Sequence, residues 1–166
     1  MKKVILGFLF FGLTSQAFSQ IIELPEIFIY PVNYKYIASV DTEDIDLNVL
    51  NVELKAATYN VTDKEYYSDE YDSYDVSFYI PQGYLAAAYD KDGHLLRTIE
   101  KYKSVKLPIA VSKAINQRFP NWIVASDVYK VTYSDEKIMA KKIYKMKLTN
   151  GNETIKIKTD EEGNFL

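Results

Sequence analysis

A chain of 166 residues with a net charge of −3 and no cysteine is long enough to bury one core, and it must do so without disulfides. The lack of cysteine also excludes thiolate catalysis, Cys-type zinc sites and a lipid anchor on cysteine. Charge is uneven, with eleven acids and two lysines in 41–75 but fourteen bases and five acids in 97–158. This layout argues against nucleic-acid binding and favours docking of the two halves, of two copies or of a charged partner.

The first nineteen residues have the pattern of an export signal. Lys2 and Lys3 precede an apolar run that ends near Leu13, and small residues at Ala17 and Ser19 mark a cleavage site. The apolar run is shorter than the about 20 residues that span a bilayer. We therefore predict a signal peptide over 1–19, no membrane anchor after its removal, and a periplasmic or secreted location.

The first half of the mature chain predicts strands, a helix and an acidic loop. Alternating apolar residues over 27–39 predict one or two short strands. Residues 43–57 fit both periods, but their length and the cap candidates Asp41 and Thr42 favour a helix. Residues 59–75, rich in tyrosine and acid, predict a loop or an exposed edge.

The rest of the chain predicts two meanders separated by a helix. The helix lies between Pro108, which suits a first turn, and Pro120, which ends the helix before it. Turn signals at Asp90 to Gly93 and at Asn150-Gly151 predict hairpins. The predicted strands cover residues 75–80, 84–90, 94–102, 122–133, 138–148 and 154–159.

A short phrase occurs twice in the sequence. The stretch from Asp90 to Leu96 returns from Asp160 to Leu166, with the Asp, Gly and final Leu in the same places, 70 positions later. Such an echo predicts two copies of one β-rich unit. Together with the element order it predicts an α+β fold of two tandem helix-plus-antiparallel-meander units, 20–83 and 84–166, whose helices pack on one face of an antiparallel sheet.

The second half also contains a recurring set of turn and core residues. They form a Tyr-x-x-Asp-Gly hairpin, a Leu-Pro-x-x-Val helix that ends in Phe-Pro, a Trp-led strand and a final Asp-x-x-Gly-x-x-Leu. These residues are Tyr89, Asp92, Gly93, Leu107, Pro108, Val111, Ile115, Phe119, Pro120, Trp122, Tyr144, Asp160, Gly163 and Leu166. In them the chain resembles the PepSY-like family of exported bacterial proteins, whose fold is shared with the β-lactamase-inhibitor protein.

The resemblance implies a PepSY-like fold, export, and protein binding or inhibition, and it transfers no catalytic residue. The export signal and the Leu-Pro-Glu sequence at 24–26 also resemble small exported proteins of the Bacteroidetes group.

The sequence offers few groups for catalysis or metal binding. His94, the single histidine, follows a hairpin glycine, and the six glycines form no phosphate-binding motif. We predict no catalytic residue, no cofactor and no metal site, with a carboxylate-based enzyme as the least expected alternative. Calcium stays open as a ligand of the acids at 69–75 or of Asp90 to Gly93, although neither stretch is a complete calcium loop.

The segment from Glu65 to Asp75 is the candidate partner-binding site. Tyrosine gives a large contact area with few rotatable bonds, and interleaved carboxylates select a basic partner. We predict a non-enzymatic binding or inhibitor-like module that recognises an unidentified protein or peptide through this segment and an open, Tyr-rich sheet face. The predicted partner-binding residues are Tyr66, Tyr67, Asp69, Tyr71, Asp72 and Tyr74.

Two alternatives stay open for the charged surfaces. The tyrosine-rich segment is also compatible with a solvated loop over the sheet edge, or with a strap on the chain's own lysines. Alternating lysines predict a solvated sheet face, and an anionic glycan or peptide is an alternative ligand for it. These lysines are Lys141, Lys145, Lys147, Lys156 and Lys158.

Overall fold

The computed structural model describes residues 33–42, 44–137 and 139–166, which form three helices and one six-stranded antiparallel sheet. The predicted α+β class is therefore confirmed. The predicted signal peptide and the part of the predicted strands before residue 33 lie outside the described residues. In chain order the elements are α1 (Tyr34–Val40), α2 (Leu47–Ala57), β1 (Ser73–Ile80), β2 (Gly83–Asp90), β3 (Leu95–Lys103), α3 (Ile109–Arg118), β4 (Ile123–Ser134), β5 (Lys141–Asn150) and β6 (Glu153–Thr159).

The strands lie in the sheet in the same order as in the chain, and each pairs antiparallel with the next. The central pair, β3 and β4, joins the two halves, with Arg97 opposite Ser134 and Lys103 opposite Val128. The proposed division at residue 83 falls at the turn between β1 and β2, inside this continuous sheet. Among the described residues, β1 and β6 are its edges.

The helices contribute their buried residues to one hydrophobic core with the sheet. Alternate residues of each strand enter this core, for example Tyr102 on β3, Tyr129 on β4 and Tyr144 on β5. The rings of Tyr129 and Tyr144 stack with centroids 4.5 Å apart, and Tyr102 stacks on Tyr129 at 6.2 Å. Tyrosine rings therefore form much of the packed core, and their polar hydroxyl groups are buried with them.

The prediction of a strand over 34–39 is wrong, because these residues form helix α1. Tyr36 and Val40 are buried four positions apart on one helical face, whereas Tyr34 is exposed. The helix is fixed by Asn33, whose amide donates to the carbonyls of Ala57 at 3.1 Å and Gly93 at 3.3 Å. These long-range bonds explain why the local alternation gave the wrong element.

The predicted helices at 43–57 and after Pro108 are confirmed, with corrections at their first residues. Helix α2 begins at Leu47, and its cap is Asp46 rather than Asp41 or Thr42, since Asp46 Oδ1 accepts the Asn48 N–H at 3.0 Å. Pro108 is the residue before α3 rather than within its first turn. Neither helix has the length and apolar character to cross a membrane, and the same holds for α1, the remaining helix of the described residues.

The repeated phrase forms two turns with the same hydrogen bonds. In the first, Asp90 Oδ1 accepts the His94 N–H at 2.8 Å, and Asp90 Oδ2 lies 3.0 Å from His94 Nδ1. In the second, Asp160 Oδ1 accepts the Asn164 N–H at 2.8 Å, and Asp160 Oδ2 accepts from Asn164 Nδ2 at 2.9 Å. The glycine of each turn has φ near the same value, 84° and 85°, in the region that favours glycine. The repeated sequence therefore forms the same backbone turn at both places.

Candidate functional site

The tyrosine segment, residues 65–75, folds around the side chain of Tyr74. The Tyr74 hydroxyl donates to the Ser68 carbonyl and accepts from the Ser68 N–H at 2.8 Å. Its ring stacks on Tyr67 at 5.6 Å and lies edge-on to Tyr71 at 6.2 Å. Tyr74 is only 7% exposed, so the prediction that it contacts a partner directly is corrected: it organises the segment from below.

The other predicted contact residues lie at the surface of this segment. Tyr66 and Tyr71 are 52% and 59% exposed, Asp69 and Asp72 are exposed, and Tyr67 is half-buried. The Tyr66 hydroxyl is hydrogen-bonded to that of Tyr59, whose ring packs edge-on against Phe78 in the core. The structure therefore brings the predicted residues together, on a backbone that is anchored at both ends.

The outer face of the sheet is dominated by lysine, and within the described residues tyrosines lie on it only at the β1–β2 end. Tyr79 and Tyr84 are neighbours there, with ring centroids 6.4 Å apart. The tyrosine segment instead packs beside core residues of β1. The expectation of a Tyr-rich sheet face is thus corrected in position: aromatic contact area lies at the segment, and positive charge lies on the sheet.

We call the outward-pointing lysines of β3 to β6 the lysine face. It comprises Lys101, Lys103, Lys130, Lys141, Lys145, Lys147, Lys156 and Lys158. Like charges lie directly opposite each other in the ladders, with Lys145 facing Lys158 and Lys147 facing Lys156. None of the four ion pairs found within the described residues involves this face. The proximity of Lys130, followed by partial desolvation and the charge of Lys158, lowers the pKa of Lys145.

A shallow groove of about 280 Å³ runs over the lysine face. Its floor includes the short side chains of Ser126 and Val128 on β4, and four lysines of β5 and β6 line it. Val128 lies between Lys103 on β3 and Lys145 on β5 in the strand register. The described outward positions of β3 to β6 contain no acidic residue. Asp127 also lines the groove, but its Oδ2 already accepts the Val105 N–H at 3.1 Å. Lysine therefore dominates the charge of the groove.

A pair of buried carboxyl groups, Glu53 on α2 and Glu100 on β3, lies between helices and sheet. Glu100 Oε1 accepts from the Tyr36 hydroxyl at 2.8 Å and the Thr98 hydroxyl at 2.7 Å. Glu100 Oε2 accepts from the Tyr102 hydroxyl at 2.8 Å. No N–H or hydroxyl group among the described residues donates to the oxygens of Glu53, which have Glu100 as a polar neighbour.

Burial raises the pKa of both carboxyl groups, and for Glu53 it does so, together with the charge of Glu100, to about 10. Glu53 therefore holds a proton at neutral pH and can donate it to Glu100. Sequence reasoning missed this pair, although the signal was present. Glu53 lies on the helical face of Val49 and Ala56, and Glu100 keeps the buried parity of β3.

One further buried charge, Lys142 on β5, ties three parts of the chain together. Its Nζ donates to Glu161 Oε2 at 2.8 Å, to the Asp41 carbonyl at 2.9 Å and to the Thr42 hydroxyl at 3.0 Å. Alternation places Lys142 on the core side of β5, where the side chain is only 3% exposed. Lys142 of β5 therefore lies in the core, whereas Lys145 and Lys147 of the same strand lie on the outer face of the sheet.

A group of three possible metal ligands occurs in the described residues at the first turn, formed by Asp90, Asp92 and His94. The carboxylate of Asp90 is already engaged by two backbone N–H groups and the His94 ring. In the second turn Asn164 makes the same side-chain bond with a group that only donates, which indicates that His94 Nδ1 is the donor. The acids of the tyrosine segment form no such group. We therefore assign the side chains of these two turns to the support of the backbone.

Neither a scan against protein-family models nor a search among curated proteins finds a match for this chain. The PepSY-like resemblance therefore stays a prediction. Functional inference depends on the surfaces and buried groups of the chain itself.

Proposed function

We propose that the protein is an exported, non-enzymatic binding module that recognises a protein or peptide, with the tyrosine segment as its contact surface. The observation that carries this proposal is the exposure of Tyr66 and Tyr71 on a backbone fixed by Tyr74. A preformed aromatic surface loses little conformational entropy when a partner binds. Side chains of this type supply most of the binding energy in many interfaces.

The charge of the segment specifies the kind of partner. Six acidic residues lie in or next to it: Asp63, Glu65, Asp69, Glu70, Asp72 and Asp75. Only Asp75 has an ion-pair partner among the described residues, Arg97 at 3.8 Å. The unpaired carboxylates repel acidic proteins and accelerate encounter with basic ones. The partner is therefore a protein or peptide with a basic surface.

The absence of catalysis belongs to the same proposal. Glu53 and Glu100, the carboxyl groups with raised pKa values, are 0% and 1% exposed. A substrate could reach them only if α1 and α2 left the sheet. We assign them to the core rather than to a reaction.

The tandem architecture is part of the proposal too. The offset of 70 positions between the two turns aligns β1 with β5 and β2 with β6, and this correspondence supports a repeat. Under the same offset the tyrosine segment corresponds to 135–145, which connect β4 to β5 and begin β5.

The proposal is tested by affinity capture with crosslinking from native envelope extract, with residues 20–166 as bait. The variant Tyr66→Ser/Tyr71→Ser removes both exposed rings of the segment and leaves Tyr74 in the core. The matched control is Tyr34→Ser/Tyr79→Ser, which removes two tyrosines elsewhere that are even more exposed than Tyr66 and Tyr71. A partner that the control retains and the segment variant loses supports the proposal. If both variants capture the same proteins as the parent, the proposal is wrong.

A further inference from the structure

We propose that the lysine face is a second binding site, and that its ligand is an extended acidic peptide that lies along the groove over β4. This site is independent of the tyrosine segment. It has opposite charge, and it lies on the face of the sheet away from the helices.

The width of the groove fits one extended chain. Lys103 and Lys145 lie on either side of Val128 in the strand register. Two strand spacings separate them, which is roughly 10 Å between their backbones. The groove is lined by Ser126 and Val128 of β4 and by lysines of β5 and β6, and Lys103 flanks Val128 from β3, outside that lining. An extended peptide over β4 therefore has the short side chains of Ser126 and Val128 below it, with Lys103 on one side and Lys145 on the other.

The spacing of the lysines along the strands sets the pattern of the ligand. They occur at every second residue, as in the pairs Lys101/Lys103, Lys145/Lys147 and Lys156/Lys158. Side chains on one face of an extended chain repeat about every 6.6 Å, in the protein and in a bound peptide alike. Acidic residues at alternate positions of the peptide would thus meet successive lysines.

The lysine face lacks internal counter-charges, which is the second reason to expect an anionic ligand. Opposed like charges destabilise a β-ladder. The arrangement of Lys145 opposite Lys158 and Lys147 opposite Lys156 therefore costs stability in the free protein. A ligand with several carboxylates removes this repulsion when it binds, and it raises the thermal stability by mass action.

Other anionic partners fit the groove less well. A bilayer is flat and would touch only the ends of the lysine side chains. The acidic tyrosine segment of a second copy is folded around Tyr74, and its adjacent acids Asp69 and Glu70 do not alternate. An acidic glycan has a repeat different from that of the strands. These partners are the competing outcomes of the test.

Fluorescence anisotropy with two labelled peptides tests the proposal. One peptide alternates glutamate and serine, and the other has the same residues in two blocks. We expect the alternating peptide to bind the full chain about tenfold more tightly than the block isomer. Binding should weaken as salt increases. The variant Lys145→Glu/Lys147→Glu should lose at least about tenfold in affinity, because it reverses charge on the groove wall.

The control Lys91→Glu/Lys113→Glu changes the net charge equally at exposed lysines outside the lysine face, and it should bind as the parent does. Thermal melts verify that every variant folds. The Tyr66→Ser/Tyr71→Ser variant should also bind the peptide normally, which separates this site from the proposed function. Equal affinity for both peptides, equal loss in the control, tighter binding of polygalacturonate fragments or anionic vesicles, or no binding at all would each overturn the proposal.

Discussion

The two faces of the sheet each hold like charges together, but they resolve the repulsion in different ways. On the core side, Glu53 and Glu100 are buried side by side, and burial raises their pKa values so that a proton is retained. On the outer side the lysines stay solvated, and repulsion only lowers the pKa of Lys145. Burial forces a charge to be neutralised within the fold, whereas exposure leaves it free for a counter-charge from outside.

The largest effect should come from removing the acceptor at the centre of the core side. We expect Glu100→Ala to destabilise the protein by about 3–5 kcal/mol, since it leaves three buried hydroxyl groups without their acceptor. Urea unfolding measures this change. The exposed Glu153→Ala serves as the control and should be near neutral. A loss for Glu100→Ala as small as that of the control would contradict the role of this carboxylate.

The protonation of Glu53 makes stability depend on pH. Its pKa is about 10 in the fold and near 4.5 when unfolded, so the folded state binds the extra proton. The stabilisation is complete below the unfolded pKa and is lost as the pH rises toward 10. We expect the melting temperature to fall by several degrees between about pH 5 and about pH 9.

Glu53→Gln keeps the shape of the neutral side chain and should flatten this pH dependence. The exposed Glu70→Gln should leave it unchanged. The range above about pH 5 avoids the acid region, where Asp90 and Asp160, whose pKa values are lowered by their turn hydrogen bonds despite partial desolvation, lose stabilisation. A melting temperature independent of pH in the parent protein would show that Glu53 is not the proton-binding group.

On the outer face, replacement of a charged residue should stabilise the protein, in contrast to the loss of stability expected for Glu100→Ala. Lys145→Glu replaces repulsion from Lys130 and Lys158 by attraction, so the melting temperature should rise slightly. Differential scanning calorimetry at low salt measures the rise, and added salt should diminish it. Lys113→Glu, which lies on α3 away from the lysine face, is the control. A lower melting temperature for Lys145→Glu would mean that the lysines do not repel one another appreciably.

The smallest effect concerns the two matching turns. His94→Asn gives the first turn the residue that the second turn already has, Asn164, with a side-chain donor for the same aspartate oxygen. We expect the free energy of unfolding to change by less than about 0.5 kcal/mol. His94→Leu, which removes the donor, should be the more destabilising of the two. Equal losses would show that the side-chain bond does not support the turn.

Much of the fold was predictable because short-range signals determine it. Gly93 and Gly163 lie at turns that require positive φ, and Pro120 ends the region of α3, so β2, β3 and α3 follow from local rules. Helix α1 did not follow, because it depends on bonds from Asn33 to Ala57 and Gly93, far along the chain. Its apolar residues alternate locally in a way that is typical of a strand.

The candidate sites were predictable only in part, for a similar reason. The composition of the tyrosine segment indicated a contact surface, but the burial of Tyr74 depends on the position of β1 relative to Ser68. The lysines of β5 all belong to a charged strand, yet Lys142 is buried because Glu161 and Asp41 supply its partners. The periodicity of a sequence predicts on which face of a strand a residue lies. The hydrogen-bond partners of that residue are known only from the folded chain.

The network around Lys142 has a consequence for the order of events during synthesis. The hydroxyl of Thr42 donates to Glu161 at 3.0 Å, across 119 positions of sequence. Thr42 leaves the ribosome long before Glu161 does, because chains emerge from the amino end. Until Glu161 follows, the ammonium group of Lys142 has no carboxylate to accompany it into the core. The packing of Lys142 is therefore completed only after Glu161 has been made, close to the end of the described chain.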